Sequence, residues 1–350
     1  MNRPVLILAL LGLACAPAET PPDQAASPSV CGDVPTWTFS ESAVFPADQS
    51  LTRAEDGRAL PDGRLVVADE AYGLRIVEVD GTHRPFPGYA EAGYRHDPPG
   101  LPGGANGVFL EDDGRHVLVS DVYTGTIYRA DTESETVTVV YDHRYGVNAV
   151  VRDRLGTIWF SQSTTNTPES GPGGVFGAID RPVRTGAVLA LRASGDGFAE
   201  EAEEVATGLY LANGIAFDPS QDHLYVAETM MDRVLRYRVD LESVSLAERE
   251  THASVHTPDN VAVDARDRVW VASPGANQVV MIDGACRAQY TVFDAPSATN
   301  RAGVDEWVRR SRLGEPLLEL FTPELWAPLP GAVTGMFWSA DGGTFYITGL

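Results

Sequence analysis

Apolar residues in this chain alternate over short runs bounded by Asp, Gly, Asn and Pro, as in Val269-Trp270-Val271 and Leu224-Tyr225-Val226. A period of two between turn residues predicts short strands joined by hairpins, not helices. The runs recur as a unit: a turn, an apolar strand, a polar Asp/Gly turn, a second apolar strand, then a third. Copies cover 54–80, 104–131, 146–163 (next strand 186–192), 211–240, 257–283 and 331–350. Repeats of about 40–50 residues with three or four strands each are the mark of propeller blades, whereas solenoid periods are shorter or helical. The predicted fold class is therefore all-β, a six-bladed β-propeller. The last copy stops short at Leu350. Thr36-Trp37-Thr38-Phe39 alternates without another partner, so it is expected to close the ring as the outer strand of the last blade, removing an exposed edge.

Two stretches break the period, 164–185 and 284–330. In the second, Val304, Trp307 and Val308 have helical spacing and Gly314 is a plausible stop. Long insertions serve as lids and binding loops, or are packing excursions; both readings stay open here.

Composition narrows the chemistry. The chain has 350 residues, 43% of them hydrophobic, enough for one large domain or two ordinary ones. All 26 basic residues are arginine, which excludes Schiff-base catalysis by lysine. A net charge of −23 argues against nucleic acid as a partner, because phosphate binding needs a basic surface. Arg3 followed by the apolar run Val5 to Leu13 reads as an export signal over 1–14, too short to span a bilayer. Two cleavage readings compete. Cys15 after Leu13-Ala14 resembles a lipobox and would be lipidated, giving a bacterial lipoprotein at the cell envelope. Cleavage after Ala16-Pro17-Ala18 would give a periplasmic or secreted protein. A membrane partner is expected only through such an anchor. Residues 15–35 read as a flexible tether and 36–350 as the propeller. In an oxidising compartment Cys31 and Cys286 could pair, or stand as two thiols.

The candidate chemistry lies where each unit opens. The residue there is Glu55, Asn106, Asn148, Asn213, and then Asp259 with Asn260. Inner strands of a propeller line its central channel, so equivalent positions converge. Five or six carboxylate and amide oxygens converging on one point are the shell of one Ca²⁺; Zn²⁺ would want His or Cys. Each alone is an ordinary turn residue. The common turn pairs, however, sit elsewhere, at Asp62-Gly63, Asp113-Gly114 and Asp341-Gly342.

Four fragments carry a family resemblance: AEDGRALPDGRLVVAD (54–69), ANGIAFDPSQDHLYVAET (212–229), PDNVAVDARDRVWVAS (258–273) and LPGAVTGMFW (329–338). In this order they resemble the senescence-marker-protein/gluconolactonase, paraoxonase and strictosidine synthase-like superfamily. The resemblance implies a six-bladed propeller with a central Ca²⁺ that hydrolyses lactones, aryl esters or organophosphates. Its metal ligands fall on Glu55, Asn148, Asn213 and Asp259, with Asn260 added from the paraoxonase branch. Paraoxonases carry a histidine where this chain has Asn106, so their proposed base has no counterpart. The carboxylate of their second, structural Ca²⁺ is Ala149 here, leaving Asp56 alone, so one metal is expected. Asp259 and Glu55 are then the candidates to orient or deprotonate water, and Asn106 to donate to the substrate or join the metal shell. The expected activity is hydrolysis of a small-molecule lactone, ester or phosphotriester. A binding module with a structural Ca²⁺ is the alternative. A strictosidine synthase-like enzyme is a second one, disfavoured because those enzymes lack a catalytic metal. His96 and His256 are secondary candidates for proton transfer.

Overall fold

Five four-stranded sheets, one five-stranded sheet and a two-stranded ribbon account for the β-structure in a computed structural model of the chain. It describes residues 7–11, 34–97, 103–195 and 197–349. The arrangement is all-β and propeller-like, with few helices. The strand that opens each predicted unit is the innermost of its sheet: Gly57–Ala59, Ala105–Leu110, Val147–Arg152, Ala212–Phe217, Val261–Val263 and Val333–Trp338. Each packs against the next in chain order, and Val333–Trp338 packs against Gly57–Ala59. Apolar faces of adjacent sheets bury each other. Val151, Trp159 and Val188 of one sheet, for example, share a core with Leu224, Val226 and Leu235 of its neighbour.

The inner strands are irregular at the predicted donors. Register shifts fall between Ala105 and Val108, Val147 and Val150, Ala212 and Ile215, and Val333 and Gly335. A bulge re-aims a side chain that the pleat would otherwise direct at a neighbouring sheet. Hydroxyls from the second strands support these bulges. Ser120 Oγ accepts from Gly107 N (2.9 Å) and donates to Asn148 O (2.7 Å) in the next sheet. Ser161 Oγ accepts from Ala149 N (3.1 Å) and donates to Asn213 O (2.6 Å). Glycine follows the bulged Asn106, Asn213 and Thr334, and permits close approach: a Cβ on Gly214 would lie 2.5 Å from Asn260 Cα. Ser161→Ala leaves a buried N–H and C=O unpaired, and is expected to cost about 2 kcal/mol, read from the urea unfolding midpoint.

Two expectations change. Thr36–Phe39 does not close the last unit as its outer strand: Trp37–Thr38 instead pairs in parallel with Gln289–Asp294, as the fifth strand of the preceding sheet. There Trp37 stacks on Phe345 of the last sheet at 4.8 Å, so its ring bridges two sheets although its backbone joins only one. The place beside Thr344–Gly349 is taken by Ile7–Leu11, inside the segment expected to be an export signal, with Val44–Phe45 beyond it. The second insertion also starts later than expected, because Gln289–Asp294 is a regular strand of its sheet. Its helix is as predicted: Ala298–Leu313, capped by Ser297 accepting from Asn300 N and ended by Gly314 at φ 68°. Cys286 is disulfide-bonded. Cys31 and Cys15 lie outside the described residues.

Candidate active site

At one end of the inner strands lies a cavity of about 190 Å³. Glu55, Asn106, Asn148, Asn213 and Asp259 all line it, so residues from five units meet as the spacing predicts. Asn260 does not. It borders a smaller neighbouring cavity with Asp56, and its unpartnered atom is Nδ2, a donor. The sixth unit places Thr334 at the equivalent point, and its hydroxyl is spent on Glu55 O (3.0 Å).

Four buried oxygens on this floor have no hydrogen-bond donor: Glu55 Oε2, Asn148 Oδ1, Asn213 Oδ1 and Asp259 Oδ1. Buried acceptors are almost always paired, and leaving a charged one bare is costly. Four in one cavity, two from carboxylates and two from amides, fit a hard divalent cation with oxygen ligands. Glu55 and Asp259 are 3% and 7% exposed. Burial pushes the Glu55 carboxyl up to about 7, against the pull of Arg53 and with help from Asp56 and Glu70. Burial, then repulsion from Glu55, holds Asp259 well above the usual carboxylate range.

This has a sign that can be checked. A carboxyl whose folded pKa is raised keeps its proton after the unfolded chain has lost it. Metal-free stability therefore falls as pH rises from about 4.5 toward 7. In chelator, Glu55→Gln is expected to gain in melting temperature over wild type as pH goes from 5 to 8. Calcium should remove that pH dependence from wild type alone.

Asn106 lines the cavity with one bond made at each end of its amide: its Nδ2 donates to Asn148 O (3.0 Å) and its Oδ1 accepts from Arg53 Nη2 (3.1 Å). Asp56 accepts from Gly57 N, Val108 N and Arg58 Nη1 (2.8, 3.0 and 2.6 Å). Arg58 compensates its charge. His96 is bound to Gly103 O (2.9 Å) and His256 lies 3.3 Å from Asp232; neither lines the cavity. Elsewhere Glu111, Asp113 and His116 bring three donor atoms within 4.8 Å of one another. They already have partners, Glu111 in Arg129 and Arg152, and His116 in Asp113.

Both insertions form the cavity wall. Val175, Phe176 and Ile179 come from the first, and Leu318, Phe321 and Trp326 from the second. Phe176, Ile179, Leu318 and Phe321 share a core with Trp307 and Leu317. Asp180 Oδ1 joins them, accepting from Leu317 N (2.7 Å) and Leu318 N (2.6 Å). The two insertions therefore both line the cavity and pack on each other. Arg53 also lines the cavity and was missed, since a lone arginine two residues before Glu55 carries no repeat signal.

The comparisons agree with this geometry. Residues 132–302 match the SMP-30/Gluconolactonase/LRE-like region. The match covers just under half of the chain and supports the senescence-marker-protein/gluconolactonase superfamily. Among solved structures similar to this chain is a gluconolactonase from Xanthomonas campestris, at 16% identity and TM-score 0.53, covering 85% of this chain and 87% of that one. Another is regucalcin, a calcium-binding protein from Agrobacterium tumefaciens, at 14% identity and TM-score 0.51, covering 75% and 81%. An uncharacterised protein of Sulfolobus acidocaldarius is 24% identical over 147 residues, 41% of this chain and 46% of that protein. The matched stretch thus spans about half the length of that relative.

Proposed function

We propose that this chain is a calcium-dependent hydrolase of a lactone or ester, built on a closed six-bladed ring and exported to the cell envelope or periplasm. One observation carries the reading: unpaired carboxylate and amide oxygens lie at the floor of an apolar cavity walled by both insertions. The likeness to a gluconolactonase and to a calcium-binding regucalcin supports it. Glu55, Asn148, Asn213 and Asp259 would hold the cation. A cation there supplies polarisation of a substrate carbonyl and stabilisation of the oxyanion formed on attack.

The chain's own residues do the rest. The walls exclude water and orient an apolar substrate body, because Ser163 and Thr229 spend their hydroxyls on Ala212 O and Pro258 O (2.7 Å each). Among the described residues no histidine lines the cavity, so of the described lining groups Glu55 and Asp259 are the ones to receive a proton released by water. The same absence favours a second reading, a calcium-stiffened binding module.

A calcium titration of chelator-stripped protein separates the two. Melting temperature and hydrolysis of a lactone, aryl-ester and phosphotriester panel are followed together. Rising stability with turnover supports the hydrolase, rising stability alone supports the module, and no response overturns the metal site. The intact mass of exported protein tests the signal and the Cys15 anchor.

A further inference from the structure

The cavity holds one cationic side chain and one indole donor whose hydrogens are not all used. Arg53 is largely buried, its guanidinium between the rings of Tyr123 and Phe176 at 5.8 and 5.6 Å from their centroids. Nη2 donates to Asn106 Oδ1 and lies 3.8 Å from Glu55 Oε2. Nη1 is buried and has no acceptor. Trp326, in the wall, has a buried Nε1 that also lacks one. Two bare donors are as costly as bare acceptors, and a ligand acceptor in the same cavity removes the cost. Charge points the same way. Glu55 and Asp259 are the two carboxylates among the lining groups, and a divalent cation would neutralise both. The guanidinium then loses the compensation of Glu55 and keeps that of Glu70, which does not line the cavity. The planar fork of arginine matches a carboxylate.

We infer that Arg53 Nη1 and Trp326 Nε1 form a carboxylate subsite beside the oxygen cluster, so that the cavity takes a monocarboxylate with an apolar body. The inference rests on the cation site proposed above. It sets this cavity apart from one suited to a neutral polyhydroxylated ring, for which the walls offer no free hydroxyl.

The test is calorimetric binding of 3-phenylpropionate and of its neutral amide to the calcium-loaded protein. Wild type should prefer the carboxylate at least tenfold, and Arg53→Met should lose most of that preference. Trp326→Phe, which keeps an aromatic ring and removes only the N–H donor, should reduce it severalfold. Equal affinities in wild type overturn the inference. So does a preference unchanged in both variants, which would mean that the carboxylate sits on the metal. If Arg53→Met does not fold, Trp326→Phe decides by the same ratio. Calcium binding by the same samples reports separately on the metal-site reading. Hydrolysis of monomethyl against dimethyl glutarate then identifies the source of the carboxylate. A preference for the monoester that Arg53→Met abolishes places it on the substrate. No preference, with product inhibition lost in Arg53→Met, places it on the product.

Discussion

Asp259→Ala is expected to lower calcium affinity and kcat/KM together, the latter by roughly 10²–10³-fold, the scale on which losing transition-state charge stabilisation acts. In chelator the same variant should melt higher than wild type. Asp259 is buried, and repulsion from Glu55 adds to burial in raising its pKa, so deleting its carboxyl relieves a cost that a cation would otherwise offset. Opposite shifts with and without calcium distinguish a ligand from a residue that merely packs, whose loss would lower both melting temperatures. Circular dichroism melts with and without calcium, beside initial rates, measure all of this. A lower melting temperature in both conditions would remove Asp259 from the metal shell.

Asp180→Ala should act on the substrate and leave the metal alone. One oxygen of Asp180 accepts both Leu317 N and Leu318 N, and this pair ties the first insertion to the second. Hydrogen bonds to a charged group contribute about 1.5–3 kcal/mol each, so the wall formed by Leu318 and Phe321 should loosen. KM is expected to rise at least about tenfold with calcium affinity unchanged. Proteolysis between Gly314 and Thr322 should quicken. An unaltered KM would mean that the shared apolar core, with Trp307 and Leu317, holds the wall unaided.

The donor cluster was legible because it repeats. A polar residue that opens a strand in unit after unit stands out against apolar alternation, and the bulges that aim it are marked by the glycines of Asn106-Gly107 and Asn213-Gly214. The helix over Ala298–Leu313 was legible from its spacing and its Gly314 stop. What depends on a single residue was not. Nothing in the sequence separates Arg53 or Trp326 from surface arginines and core aromatics, since their importance comes from lacking partners in a cavity built by distant segments. The partners of Asn106 were equally hidden, since the Arg53 guanidinium at its Oδ1 and the Asn148 carbonyl at its Nδ2 reach it only in the folded chain. The parallel pairing of Trp37–Thr38 was also invisible: an edge strand two residues long follows whichever neighbour offers an unpaired row of backbone groups, and alternation is the same for either sheet.

The backbone of Glu55 is fastened from the far end of the chain. Its carbonyl accepts from Thr334 Oγ1 and from Thr348 Oγ1 (2.8 Å), residues 279 and 293 positions later. During synthesis those hydroxyls leave the ribosome long after Glu55 does. A nascent chain therefore has Glu55 before the contacts that fix it, and activity should appear only after Thr344–Gly349 has been made and released.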